Sequence, residues 1–366
     1  MTITRIDLVE IRLPLLTPFE TSVGRTTERR IILVRVEDDR EIEGWGECVA
    51  EELPLYSEEW TGSAWPALET ILAPMAAGAD PERIRHLFEP IRGNRMAKAA
   101  IESAAWDLRA RQGGVPLWEL LGGIDREIPC GVSIGLQDST EALLANIERE
   151  LAAGYQRIKI KIKPGRDLDL IAAVRDRFPD VPLMADANSA YRLSDAPLLR
   201  KLDAFKLTMI EQPLAHDDIV DHAKLQQQIE TPICLDESIR HVRDAQHAIQ
   251  LGACRVINIK MGRVGGHAMA REIEDLCRGK SIPVWCGGML ESGIGRAHNI
   301  ALSTLPGFTL PGDVSASARY WDEDIIDPPV TVSAQGTIRP SSLPGIGYRV
   351  KRDRIDQLAV RRATID

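Results

Sequence analysis

Five ionisable residues stand at nearly equal intervals through the middle of this chain: Lys161, Asp186, Glu211, Asp236 and Lys260, separated by three intervals of 25 residues and one of 24. Each closes a short apolar run of the kind that forms a buried strand. One strand–helix unit occupies about one such interval, so equivalent positions on successive units point to one side. Three carboxylates converging there repel one another unless a cation lies among them, and an all-oxygen set suits Mg2+ or Mn2+ rather than zinc. The two lysines, from the strands on either side, would face each other across that ion. Such a site makes a C–H bond next to a substrate carboxylate acidic by stabilising the enediolate left when the proton departs.

Taken singly, an Asp or Glu at a strand end is more often a helix cap. Five on one period are not explained that way. The second candidate strand, Arg157–Ile162, also carries Lys159, which shares a face with Lys161 by the two-residue period. Inner barrel strands read apolar, and burying two amines is costly unless the site uses them. Crowding by Lys159 and by a metal ion would lower the pKa of Lys161, as a general base near neutral pH requires. Other motifs carry less. Gly131-Val132-Ser133-Ile134-Gly135 fits the G-x-S-x-G nucleophile elbow, but no His and Asp partners accompany it. The glycine-rich stretches 262–266 and 287–295 lack the dinucleotide-binding spacing and instead suit backbone that approaches a ligand. His298 reads as a packed helix residue, not a ligand.

The elements that must position these residues are legible in outline. Ile3–Leu13, Arg30–Glu37 and Gly44–Ala50 read as strands, with Pro14–Thr27 a long polar loop between the first two. Trp65–Ala77 and Arg95–Gln112 carry apolar residues at helical spacing. From about residue 128 short strands alternate with helices: Cys130–Ile134, Arg157–Ile162, Leu183–Ala187, Lys206–Ile210, Ile233–Leu235, Arg255–Ile259, Val284–Cys286 and Phe308–Leu310. Eight parallel strands with intervening helices predict a TIM-type barrel whose site gathers at the strands' carboxyl ends. Beyond Asp327 the chain is Pro-rich and irregular, and is expected to return over the first domain.

The 366 residues are 44% hydrophobic and 27% charged, as in an ordinary globular protein, which argues against disorder and fibres. The net charge of −9 is spread along the chain without a basic block, so a small molecule is a better expected partner than nucleic acid. Cys48, Cys130, Cys234, Cys254, Cys277 and Cys286 lie far apart and never in C-x-x-C spacing, which indicates neither a zinc site nor a disulfide scaffold. No membrane-length apolar run and no signal-peptide pattern is present, so the expected location is the cytoplasm.

At these residues the sequence resembles the enolase superfamily, specifically its muconate-lactonising-enzyme subgroup, through Lys159-Ile160-Lys161, Asp186-Ala187-Asn188, Glu211-Gln212-Pro213, Asp236-Glu237-Ser238 and Lys260. Within that subgroup it is most similar to the o-succinylbenzoate synthase / N-succinylamino acid racemase family, through Pro18-Phe19, Gly44-Trp45-Gly46-Glu47-Cys48, Arg95-Met96-Ala97-Lys98, Cys130-Gly131-Val132-Ser133, the run from Asn258 to Gly266 and Trp285-Cys286-Gly287-Gly288-Met289. The resemblance implies an α/β fold: an N-terminal α+β capping domain (1–125), a (β/α)7β modified TIM barrel (126–326) and a C-terminal segment (327–366) that packs back on the cap. It implies Mg2+, replaceable by Mn2+, on Asp186, Glu211 and Asp236, with Lys161 and Lys260 as the acid/base pair and Lys159, Asn188 and Glu237 in support. Arg263, three residues after Lys260, falls where racemising members carry an arginine that tunes this lysine, which favours N-succinylamino acid racemisation with o-succinylbenzoate synthesis beside it. Loops at Pro18–Arg25 and Leu53–Ser57 would close over the substrate, with Phe19, Tyr56, Ser133, Met289 and Glu291 touching it. Assembly from dimers, and a place in menaquinone or amino acid metabolism, follow from the same resemblance.

The rival readings differ at single positions. Dipeptide epimerases carry Asp-x-Asp where this chain has Gly312-Asp313-Val314, and mandelate-racemase-like members replace the sixth-strand lysine with a His-Asp dyad. Muconate cycloisomerase stays open. A silent binding protein on the same scaffold would have no need of five intact residues.

Overall fold

Alternation in the first fifty residues builds a sheet that is buried on both faces. The computed structural model describes residues 2–21 and 24–366. Strands β1 (Ile3–Glu20), β2 (Arg25–Asp38) and β3 (Glu43–Cys48) are antiparallel, and the C-terminal strand Ala359–Ile365 pairs with the outer edge of β1. Ile6, Leu8, Ile32 and Val34 face the cap core, together with Ala100, Ala104 and Leu108 of the helix Arg95–Gly113. Val9, Ile11, Ile31 and Leu33, at the alternate positions, join the core shared with the barrel. The helix lies so close to β3 that a Cβ on Gly44 or Gly46 would come within 2.1 Å of a helix carbonyl oxygen. Only glycine fits there.

The expected loop Pro14–Thr27 is instead largely strand. β1 runs on to Glu20 and β2 resumes at Arg25, with Phe19 opposite Thr26 and a break in register between Pro14 and Phe19. This arm projects past the core: Pro14, Leu16, Thr17 and Pro18 stay exposed, the Leu16 N–H donates to the Tyr320 carbonyl instead of to β2, and exposed strand reads as loop. The Ser22–Val23 part of the expected closing loop lies outside the described residues. The helix read at Trp65–Ala77 begins earlier, at Thr61, and carries a π-turn over Leu68–Leu72.

Strands β4 (Gly131–Ile134), β5 (Arg157–Lys161), β6 (Leu183–Asp186), β7 (Met209–Glu211), β8 (Ile233–Leu235), β9 (Val256–Ile259) and β10 (Val284–Cys286) form one curled parallel sheet in chain order. The eighth expected strand, Phe308–Leu310, forms no ladder. The bridges Val284–Phe308 and Cys130–Gly312 close the barrel, aided by the Gly131 N–H, which donates to the Gly312 carbonyl at 2.7 Å. Pro306 and Pro311 lack the N–H groups a ladder would use. The fourth barrel strand begins at Met209 rather than Lys206, which sits in the left-handed region at φ 50° after a 3-10 turn.

Strand parity then sorts the barrel interior. Met184, Met209, Cys234, Val256 and Trp285 form an apolar floor, with Leu310 packed against it. Two residues further along the strands, on the same face, stand Asp186, Glu211, Asp236 and Asn258. No helix of the described chain is long and apolar enough to cross a membrane.

Candidate active site

The five periodic residues meet above that floor, all buried. The Lys161 Nζ donates to Asp186 Oδ2 at 2.6 Å and to Asn188 Oδ1 at 2.8 Å. On the far side Lys260 Nζ donates to Asp236 Oδ2 at 2.8 Å. Because β5 and β9 flank β6, β7 and β8 in the sheet, the two lysines stand on opposite sides of the three carboxylates. Lys159 ties the set from below, 2.9 Å from Glu211 Oε2, 3.5 Å from Asp186 Oδ2 and 2.7 Å from Asp313 Oδ2.

The electrostatics follow from burial and these pairs. Burial alone would raise the Asp186 carboxyl, but Lys161 and Lys159 outweigh it and hold Asp186 below the usual carboxylate range. Glu211 is pushed up, first by burial and then by the neighbouring Asp186 charge. Glu237, buried and also facing Asp186, is pushed up to about 7. Burial works against the Lys159 ammonium, yet Asp313, Glu211 and Asp186 hold it above the ordinary lysine value.

Arg263 binds the other end of the array. Its Nη1 donates to Asp236 Oδ1, Nε to the Ile239 carbonyl at 2.7 Å and Nη2 to the Asn258 carbonyl at 2.6 Å. Tyr56, from the cap, donates its hydroxyl to Asp236 Oδ1 at 3.1 Å, and Lys260 Nζ lies 4.4 Å from its ring centre. Gly287 leaves room beside Lys260, whose Cε would be 2.7 Å from an added Cβ.

The donor set fits a hard divalent cation. It has three buried carboxylates and no soft ligand, and the nearby Glu237 Oε2 is buried without a partner among the described residues. Among the described residues no three His, Cys, Asp or Glu side chains close on one point as they stand, for Asp186 and Asp236 are turned onto lysine and arginine nitrogens.

A cavity of about 570 Å³ opens over these groups, lined among others by Phe19, Tyr56, Ser133, Met289 and Glu291. Among the described residues Ser133 Oγ has no partner, whereas Glu291 Oε1 already accepts from the Met289 N–H and Asn299 Nδ2, each at 2.9 Å. The Glu20 carbonyl accepts the Leu136 N–H at 2.9 Å, which docks the cap hairpin on the barrel rim. A Cβ on Gly135 would come within 2.8 Å of that carbonyl oxygen, and one on Gly131 within 2.5 Å of the Arg157 guanidinium. The glycines around Ser133 thus serve packing, not a nucleophile elbow. His298 is buried between His267, 2.9 Å from its Nδ1, and the Trp45 carbonyl, which accepts from its Nε2 at 2.7 Å.

Sequence reasoning missed several residues. Asp313 joins Lys159 to Arg157, whose Nη2 is 2.7 Å away. A buried second lysine needing its own counterion was the available signal. Asn258, which donates to Glu211 Oε1 at 2.7 Å, could have been found by stepping back two residues from Lys260. Arg29 and Arg296 also line the cavity, and nothing in the spacing marked them.

Comparison with known proteins agrees with this fold. Residues 3–122 match the mandelate racemase / muconate lactonizing enzyme N-terminal domain, and residues 142–354 match the enolase C-terminal domain-like family. The chain is 55% identical over 353 residues to an o-succinylbenzoate synthase of Geobacillus stearothermophilus, covering 96% of this chain and 94% of that one. It is 48% identical over 362 residues to an N-succinylamino acid racemase of Thermus thermophilus, covering 97% and 98%. A solved enolase-superfamily structure from Listeria innocua superposes with a TM-score of 0.95 at 43% identity, covering 100% of this chain and 99% of that chain.

Proposed function

The chain belongs to the enolase superfamily, in its mandelate racemase / muconate lactonizing enzyme branch, and from that premise we propose that it racemises N-succinylamino acids and also forms o-succinylbenzoate. The observation that carries this reading is the pair of buried lysines on opposite sides of three carboxylates, with Arg263 bound to the carboxylate that Lys260 also contacts. Relatives at 43–55% identity bear both names.

Members of the superfamily generally use Mg2+. A divalent cation held by Asp186, Glu211 and Asp236 would supply positive charge beside the substrate carboxylate and take the place of the ammonium charge those groups now accept. In racemisation one of Lys161 and Lys260 removes the α-proton while the other delivers a proton to the opposite face. In synthesis Lys161 removes the proton and then protonates the departing hydroxide, and Lys260 stays cationic to steady the enediolate. Lys159 remains charged because three carboxylates surround it, so it shapes the field without exchanging protons. Arg263 holds Asp236 and so fixes the position of Lys260. Phe19, Tyr56 and Ser133 enclose the substrate arm.

The test is a parallel assay, with Mg2+ or Mn2+, of N-succinylphenylalanine racemisation and o-succinylbenzoate formation. Turnover of at least the first substrate, with loss of α-deuterium, is expected. Absence of both activities, with Lys161→Ala indistinguishable from the parent, would overturn the assignment.

A further inference from the structure

Of the arginines on β2, Arg30 and Arg35 are matched with acids and Arg25 is exposed to solvent, which leaves Arg29 as the buried exception. Arg30, on the face away from the barrel, lies against Glu10 and 3.6 Å from Glu52. Arg29 shares the barrel-side face with Ile31 and Leu33, is 3% exposed, and lines the active-site cavity. It forms no ion pair among the described residues. Only its Nη2 is engaged, donating to the Val49 carbonyl at 2.8 Å, and its buried Nε has no partner.

The other buried cations of the lining differ, whereas Arg25 is exposed and solvated. Lys159, Lys161 and Lys260 each rest on a carboxylate. Arg296, equally buried, spends both terminal nitrogens on the carbonyls of Ser315 and Glu291, at 2.8 and 2.9 Å, and so clamps two loops. Arg29 therefore keeps an open guanidinium edge on a cavity wall. A desolvated cation without a counter-charge is unfavourable, and the planar fork matches a carboxylate in two parallel hydrogen bonds.

We propose that Arg29 receives a second carboxylate of the substrate, carried on the arm remote from the carbon that loses its proton. The inference rests on the proposed function and makes Arg29 a specificity residue for it. An N-succinyl group bears such a carboxylate, and so does the precursor of o-succinylbenzoate, whereas an N-acetyl group has none. Arg29 reads the anionic end while the lysines and carboxylates act at the other.

The experiment compares kcat and KM for N-succinylphenylalanine and N-acetylphenylalanine, with Mg2+, in the parent, Arg29→Met and Arg29→Lys. The ratio of the two kcat/KM values should fall roughly 30- to 100-fold in Arg29→Met, through KM on the succinyl substrate, and by less in Arg29→Lys. A merely structural arginine would lower both substrates together and leave the ratio unchanged, which overturns the proposal. If the parent turns over neither substrate, the parent reading falls. Titration calorimetry of N-succinylphenylalanine with parent and Arg29→Met then decides the subsite separately, and equal dissociation constants would refute it.

Discussion

The floor and the mouth of the barrel are built by the same strands, two residues apart, and obey opposite rules. Met184, Met209, Cys234, Val256 and Trp285 exclude water and hold shape through packing alone. Asp186, Glu211, Asp236 and Asn258, one step up, and Lys260, one step above Asn258, are also buried but are charged or polar and held by mutual pairing. The floor is low-dielectric material beneath an ionic layer, and it strengthens every electrostatic contact above it. Trp285 belongs to both, since its ring lies 4.8 Å from the Arg157 guanidinium and 4.9 Å from Lys159 Nζ. The lesson is that burial alone does not divide stability from function in this barrel; pairing does.

The difference can be broken most severely at the mouth. Lys161→Ala should reduce racemisation and synthesis about 10³-fold or more, since general acid/base groups contribute up to about 10⁴-fold. With Mg2+ present to replace the lost ammonium charge beside Asp186, its thermal midpoint should stay near the parent's. Polarimetry and melting by circular dichroism, run together, check both halves. A comparable loss of folding would mean that the mouth carries stability as the floor does.

At the floor the expectation reverses. Trp285→Ala should cost about 3–5 kcal/mol of stability by urea denaturation, from the cavity and the two lost cation contacts. A variant of unchanged stability would show that the floor is not the support for Arg157 and Lys159 that its geometry describes.

The seam between cap and barrel sharpens the contrast in a third way. Glu47 is fully buried and accepts from the Ser292 and Gly295 N–H groups, at 3.1 and 2.9 Å, and from the Ser292 hydroxyl, but has no cation partner among the described residues. Burial pushes its carboxyl up to about 7, opposite in sign to Asp186 with its lysines. With the folded-state pKa above the unfolded one, the protonated form favours folding. That contribution is fully present below about pH 4.5 and is lost as pH rises to about 7. The change is about 3 kcal/mol, and Glu47→Gln should flatten it in denaturation curves taken across that window. Equal slopes in both proteins would exclude Glu47 as the source.

The mildest change is Met209→Leu in the floor. Volume is conserved, so stability should move by less than about 1.5 kcal/mol and kcat should be unchanged. A large activity loss would mean that the floor's shape, not only its apolarity, sets the mouth.

Much of this was readable before any coordinates. The interval of 25 residues from Lys161 to Asp236 predicted that these side chains converge, and they do, because each βα unit returns the chain to the same rim. Lys159 and Lys161 on one strand face signalled buried amines, and both are buried. The hairpin arm was misread because its residues are largely exposed and carry no apolar period, although the backbone pairs again at Phe19 and Glu20. The eighth strand was over-read at Phe308–Leu310, where adjacent prolines leave only bridges.

The sequence by itself determined what repeats: the βα period, the inward face of each strand, and hence which ionisable residues must converge. Only the tertiary structure decided the partners that no period connects. Tyr56 reaches Asp236 across 180 positions, Asp313 becomes the counterion of Lys159 and Arg157, and Arg29 is left on the cavity wall without an acid. The physical reason is range. Periodicity follows from local backbone geometry, whereas pairing, desolvation and the shape of a cavity depend on how distant segments pack, and these set which buried charges balance and which await a ligand.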